Sequence, residues 1–248
     1  MKQTIIITGA SGKFGKILVK NFIDQNEIVI AIGRSMKSLN KINTYNKNLH
    51  FICVDLMKNG HMEKVIKKIK NLKLKPTSLI NCARNLNFLK LDKSGNASSE
   101  NFINEFKLGV VVPYQFTISL VKNFKNTFKN VVNIGSIYGS TAPNLKLYKN
   151  PKKDSPIQYG VSKSALEHLT KELAVRLAEY SVRVNCAAFG GLEGRVDQAF
   201  KKRYSKLSPS GKMLSESDIF GPVQMLLSNN TKGITGHTLM IDGGWTIW

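Results

Sequence analysis

Thr4-Ile5-Ile6-Ile7-Thr8-Gly9-Ala10-Ser11-Gly12-Lys13-Phe14-Gly15-Lys16-Ile17-Leu18-Val19 is the stretch that decides the fold. It opens with a short run of β-branched apolar residues, the pattern of a buried strand, and closes with apolar residues at helical spacing. Between the two, Gly9, Gly12 and Gly15 supply backbone that turns tightly and lets a neighbour approach closely. A strand that enters a helix through such a turn aims the helix's first N–H groups at one point, where their hydrogen bonds and the helix dipole attract a pyrophosphate. Gly9, Ser11, Gly12, Phe14 and Gly15 are therefore expected to form the phosphate end of a dinucleotide site.

Working outward, strand-like runs recur at residues 4–7, 28–32, 49–54, 78–82, 130–134, 182–187 and 238–241. Amphipathic helical stretches separate them, which predicts an α/β fold with a doubly wound, mostly parallel sheet and helices on both faces. Several of these strands are apolar throughout, as expected where both faces of the sheet are covered. No shift in composition marks a boundary, so residues 1–248 read as one domain, large enough to bury a full core. The longest irregular piece, about residues 138–158, is a basic loop punctuated by Pro143, Pro151 and Pro156. Loops of that length usually carry function.

The formal charge is +21, with lysines crowded at residues 64–75, 146–153 and 201–206. In the first stretch they interleave with Val65, Ile66, Ile69 and Leu72 at helical spacing, as on the solvated face of a surface helix. Charge of this kind attracts polyanions without reading sequence, so no specific nucleic-acid partner is expected, and an anionic small molecule gains more from the field. The chain has no apolar run of membrane-spanning length and no apolar leader, which predicts a protein without membrane attachment. Cys53, Cys82 and Cys186 lie on separate strand-like segments without metal-ligand spacing. They are expected to be buried, reduced and structural, in a cytoplasmic protein that holds no metal.

The second strand ends in Ile32-Gly33-Arg34-Ser35. An acidic residue there would bind a ribose 2′-hydroxyl, whereas arginine and serine suit a 2′-phosphate, so NADP(H) is expected over NAD(H). Asp55, at the end of the third strand, has two readings: an acceptor for an adenine amino group, or a helix cap.

Tyr159, Ser162 and Lys163 follow Pro156, and the spacing of Tyr159 and Lys163 puts both on one face of a helix. A phenol beside an ammonium is a plausible pair for proton exchange near neutral pH. Tyr148 and Lys152 share the spacing, but Pro151 lies between them and would break the helix needed to align them.

The glycine turn, Asp55-Leu56, Asn81-Cys82-Ala83, Ile134-Gly135-Ser136, the segment from Tyr159 to Lys163, Arg183-Val184-Asn185, Thr235-Gly236 and Asp242-Gly243-Gly244 together resemble the short-chain dehydrogenase/reductase family over essentially the whole chain. The resemblance implies a Rossmann fold and NAD(P)-dependent interconversion of carbonyl and alcohol. On it, Tyr159 exchanges the proton, Lys163 holds the nicotinamide ribose and Ser136 hydrogen-bonds the reacting oxygen. Leu56, Asn81, Ala83 and Leu192 join the cofactor site, and the helices around residues 113–121 and 165–177 pair subunits in a homodimer or homotetramer. The C-terminal segment with Trp245 and Trp248 would contribute to the tetramer.

The departures carry information too. The 9, 12, 15 glycine spacing is typical of the longer sugar-nucleotide branch, while the length and the Asp242-Gly243-Gly244 ending resemble the shorter one. Arg84 replaces a usual glycine near the cofactor's reactive end, where its fork suits a carboxylate or phosphate. Gly109 falls where a relay asparagine is often found. The loop between Ser136 and Tyr159 is extended and carries Tyr148, a candidate substrate contact; its pattern resembles a subgroup that modifies flagellin and surface-glycan sugars. The leading expectation is an NADP(H)-dependent oxidoreductase acting on a polar, anionic sugar. An epimerase or dehydratase of sugar nucleotides that retains its cofactor, and a non-catalytic cofactor-binding scaffold, are the alternatives.

Overall fold

The computed structural model describes residues 2–42, 46–194 and 196–247, which leaves Trp248 outside the described residues. Seven strands form one sheet: β1 (Thr4–Thr8), β2 (Ile28–Gly33), β3 (Leu49–Cys53), β4 (Ser78–Asn81), β5 (Asn130–Ser136), β6 (Arg183–Phe189) and β7 (Thr238–Ile241). Their order is β3-β2-β1-β4-β5-β6-β7, and every pairing between them is parallel. The helices are α1 (Lys13–Asp24), α2 (Met36–Leu39), α3 (His61–Asn71), α4 (Ser99–Phe106), α5 (Val112–Phe124), α6 (Ile137–Ser140), α7 (Pro151–Asp154), α8 (Ile157–Arg176), α9 (Gln198–Leu207) and α10 (Ser217–Leu227).

Alternation along β1 shows how the layers are specified. Ile5 and Ile7 pack on one face with Leu18, Val19 and Phe22 of α1 and with Ile219 and Val223 of α10. Ile6 packs on the other with Val65 and Ile69 of α3, Phe116 and Leu120 of α5 and Leu173 of α8. A strand whose side chains alternate between two covered faces is apolar at every position, which is why β1 is buried from end to end. α3 turns Met62, Val65, Ile66 and Ile69 inward, and its lysines face solvent.

Chain order reverses where β1 lies between β2 and β4, and in a doubly wound sheet ligands bind beyond the carboxyl ends of the strands at that crossing. The glycine turn leaves β1 there, and β4 and β5 end beside it.

Two expectations change. Only Cys186 is fully buried; Cys82 is half-buried and Cys53 is exposed, because β3 is the sheet's edge strand. The 138–158 loop is not irregular: it contains α6, a single 3₁₀ turn at Leu145–Leu147, and α7. Pro151 starts α7, where a proline's missing N–H costs nothing. Leu147 is fully buried with Ile137, Tyr204, Met213 and Trp245, which pins the segment to the end of the sheet.

Candidate active site

A single cleft of about 880 Å³ runs across the carboxyl ends of the strands, from the glycine turn and the end of β2 to the N-terminal turn of α8. Gly9, Ser11, Gly12 and Phe14 line its first end. Gly9 has φ +66°, and a Cβ there would come within 2.6 Å of Ala83 Cα. A Cβ on Gly15 would lie 2.4 Å from the Gly9 carbonyl oxygen. Gly15 therefore stands behind the turn and lets α1 pack against it, and the cleft wall belongs to its neighbours. Thr8 braces the turn: its hydroxyl accepts from the Cys82 and Ala83 N–H groups at 3.0 and 3.2 Å, joining the ends of β1 and β4. Gly12 caps α1 without any side-chain acceptor, and no acidic residue occupies the first helical turn. The N-terminus of α1 thus offers backbone donors and positive dipole to the cleft, with no competing anion in its own first turn.

Arg34 and Ser35, at the end of β2, lie on the cleft wall. The Ser35 hydroxyl also caps α2 through the Ser38 N–H. Asp55 caps no helix: one carboxylate oxygen accepts from the Met57 N–H at 3.0 Å within a turn, α3 starts only at His61, and Asp55 lines the cleft with Leu56, Ala83 and Leu192. Asn81 lies below that wall. Its amide donates to Asn133 Oδ1 at 2.8 Å, and Asn133 donates in turn to Thr170, a buried ladder that ties β4 through β5 to α8.

At the other end Ser136, Tyr159, Lys163 and Arg84 come together on the wall. Ser136 ends β5 and accepts from the Tyr138 N–H. Tyr159 and Lys163 lie one turn apart on α8, and buried Lys163 donates to the Ile134 carbonyl at 2.7 Å. Its ammonium is 5.7 Å from the Tyr159 ring centroid, and the Arg84 guanidinium carbon is 4.4 Å from it. Two cations from separate elements thus bear on one phenol. Tyr148 has extended backbone and lies outside any helix, so it does not share a face with Lys152.

Tyr148 belongs to a wall that sequence reasoning largely missed. Its hydroxyl meets that of Tyr138 at 2.5 Å, and its ring packs on Phe200 with centroids 5.5 Å apart. Tyr204 stacks on Trp245 at 4.3 Å and accepts from the Gly191 N–H at 2.8 Å, while Arg203 Nε donates to the Leu147 carbonyl at 2.8 Å. Burial pushes the Tyr204 phenol up to about 12 and raises those of Tyr138 and Tyr148, so all three are neutral hydrogen-bonding groups at pH 7. The available signal was the spacing of Phe200 and Tyr204, one turn apart on α9, inside a stretch conspicuous for its lysines. Cys82 also lines the cleft, but burial lifts its thiol to about 11, which keeps it protonated and unreactive.

The family model described as enoyl-(acyl carrier protein) reductase matches residues 14–246. Post-translational flagellin modification protein A of Campylobacter coli is 29% identical over 98% of this chain and 98% of its own length. A short-chain dehydrogenase of Leptospira borgpetersenii, solved with bound NAD+, superposes with a TM-score of 0.89 at 27% identity, covering 99% of this chain and 93% of that one. A 4-hydroxyisoleucine dehydrogenase complexed with NADH and succinate gives a TM-score of 0.84 at 25% identity, covering 98% of this chain and 100% of that one. The site is thus that of an NAD(P)-dependent oxidoreductase, and the chain belongs to the short-chain dehydrogenase/reductase family. The uncapped α1 N-terminus and the continuous cleft from it to Tyr159 fit a dinucleotide cofactor. Among the described residues no helix is long and apolar enough to cross a membrane, and no cluster of His, Cys, Asp or Glu could hold a metal ion.

Proposed function

We propose that this protein, acting as one domain, is an NADP(H)-dependent oxidoreductase that interconverts a hydroxyl and a keto group on a polar, anionic sugar, in the modification of flagellin or surface glycans. One observation carries the reading: a single cleft joins the phosphate-binding turn, flanked by Arg34 and Ser35, to a tyrosine flanked by Lys163 and Arg84. Gly9, Ser11, Gly12 and Phe14 hold the pyrophosphate, Arg34 and Ser35 the 2′-phosphate, Asp55 and Leu56 the adenine, and Ala83 and Leu192 border the nicotinamide half. Asn81 acts from behind, by fixing the end of β4. When bound, the cofactor supplies or accepts the hydride.

The chain's own residues handle the proton and the substrate. Tyr159 gives its proton to the substrate oxygen in reduction and takes one in oxidation, and the Ser136 hydroxyl hydrogen-bonds the same oxygen. Lys163, anchored by Ile134, holds the nicotinamide ribose and keeps positive charge beside Tyr159. Arg84 offers a fork to a carboxylate or phosphate, and the Tyr138–Tyr148 hydroxyl pair offers neutral partners to sugar hydroxyls. The flagellin-modification relative and the positive net charge support a sugar that carries an anionic group.

The reading places the protein in the cytoplasm as a homodimer or homotetramer; Tyr114 of α5 and Val161 and Val175 of α8 are exposed apolar residues on the helices expected to pair. Fluorescence titration with NADPH and NADH, followed by turnover against keto-sugars and sugar phosphates, tests it. NADPH preference with turnover of an anionic sugar is the expected result. Binding without turnover of any substrate would leave the scaffold reading instead.

A further inference from the structure

Each reduction takes one proton from Tyr159, and that proton must be replaced. Tyr159 borders the cleft, which substrate and cofactor fill during turnover, so resupply from behind requires a titratable group on the far side of Lys163. Glu105, one residue before the end of α4, is such a group. It is 3% exposed, and its Oε2 atom is buried with no hydrogen-bond partner. Burial raises its carboxyl above the ordinary range, opposed by the charges of Lys163 and then Arg84, the two cations that flank Tyr159. A buried carboxyl with an unpartnered oxygen is costly to keep, so its presence calls for a reason.

The backbone is shaped around it. α4 runs into α5 through a π-helical turn, Lys107–Val111, a wide turn that often marks functional positions. Gly109 lies in this turn. A Cβ at Gly109 would fall 2.2 Å from Ser162 Oγ and 3.9 Å from Glu105 Oε1, so the Ser162 hydroxyl already fills the space, with Glu105 at its border. Ser162, next to Lys163, also donates to the Glu105 carbonyl at 3.5 Å, joining α8 to α4 at this point. Beside them, Thr8, Asn81, Gly109, Leu166 and Lys163 border a cavity of about 10 Å³, the room one water needs. Asn81 Oδ1 is a second buried acceptor without a partner, and it belongs to the same wall.

We propose that Glu105 is the proton-relay carboxyl of this active site, exchanging a proton with Lys163 past Gly109, the residue that borders both Glu105 and the one-water cavity against Lys163 and Asn81. In reduction the Tyr159 O–H bond breaks as the substrate oxygen gains the proton. The phenolate is reprotonated from the Lys163 ammonium, the Glu105 O–H bond breaks to restore the ammonium, and solvent returns one proton to Glu105. Oxidation runs the same transfers backward. The charged groups that bear on Glu105 are Lys163 from α8 and Arg84, three residues beyond the end of β4. Glu167, one turn beyond Lys163, also has one buried oxygen without a partner, but its other oxygen accepts from the Ser140 hydroxyl, which ties it to α6. Glu105 acts through Lys163, so it is a positioning residue rather than one that touches substrate.

The inference rests on the oxidoreductase reading, and the test separates the two. Full-length wild type, Glu105→Gln and Glu105→Asp are compared in NADPH-dependent reduction of 9,10-phenanthrenequinone, a carbonyl that needs no sugar recognition, and of sugar phosphates. Rates are taken across pH in H2O and D2O, beside NADPH binding and melting temperature. Glu105→Gln is expected to lower kcat about ten- to a hundredfold, within the range for a lost proton-transfer group. It should raise the solvent isotope effect and abolish the fall in reductive rate as pH rises through the Glu105 pKa, with NADPH binding and melting temperature unchanged. Glu105→Asp, which keeps a carboxyl, should retain most of the rate. Wild-type kcat and pH profile in Glu105→Gln would overturn the relay alone, as would equal losses in both variants that track lost NADPH binding or melting temperature. A wild type that reduces no carbonyl would overturn the oxidoreductase reading and the relay with it.

Discussion

The two ends of the cleft are built by opposite means. On the proposed reading, the phosphate end centres on a contiguous run, residues 4–16, in which backbone does most of the work: glycines without side chains, a helix N-terminus without a side-chain cap, and one threonine tying the turn to β4, with Arg34 and Ser35 beside it. The substrate end is gathered from Arg84, the α6–α7 segment, α8, α9 and Trp245, and side chains do the work. A site made of backbone fails when a side chain is added. A site made of side chains fails when a functional group is removed.

The largest test of that contrast is at the reacting centre. Tyr159→Phe should lower kcat by about 10²- to 10⁴-fold, the range for a lost general acid and base, while NADPH titration shows unchanged affinity. If affinity falls in parallel, the two ends are not independent. At the phosphate end Gly15→Val should do the reverse: its Cβ would meet the Gly9 carbonyl, which cannot retreat without opening the turn. A loss of about 1–3 kcal/mol by denaturant unfolding is expected, with nucleotide binding abolished before Tyr159 is affected. Arg34→Ala should cost NADPH about tenfold or more in Kd and leave NADH unchanged, as removal of a hydrogen bond to a charged group implies. Equal losses for both nucleotides would remove the 2′-phosphate assignment. The smallest effect is expected from Tyr148→Phe, which deletes one hydroxyl of the Tyr138 pair. A rise of a few-fold in substrate KM, at constant kcat and NADPH affinity, corresponds to about 0.5–1.5 kcal/mol for one neutral hydrogen bond.

The same contrast explains what was legible in advance. All seven strands stood out as short apolar-rich runs between helical stretches, β1 most clearly because it is covered on both faces, and the turn after β1 stood out because its glycines are close in sequence. The spacing of Tyr159 and Lys163 was legible for the same local reason, being one turn of α8. The Tyr204–Trp245 stack and the position of Glu105 were not, because each depends on elements distant in sequence, and the Tyr138–Tyr148 pair was not, because the turns that fold the loop between them set it. Arg84 was noticed as a departure from a family pattern, but nothing in its neighbourhood says that it lies over the Tyr159 ring.

The sequence by itself therefore determined the alternating architecture, the phosphate turn and the tyrosine–lysine face, since each follows from periodicity or backbone freedom within a few residues. Only the tertiary structure decided which cations meet Tyr159, which aromatics wall the substrate end and which carboxyl is buried behind Lys163. Those contacts are set by how α4, α8 and α9 pack at the end of the sheet, and packing joins residues whose separation along the chain carries no record of their meeting.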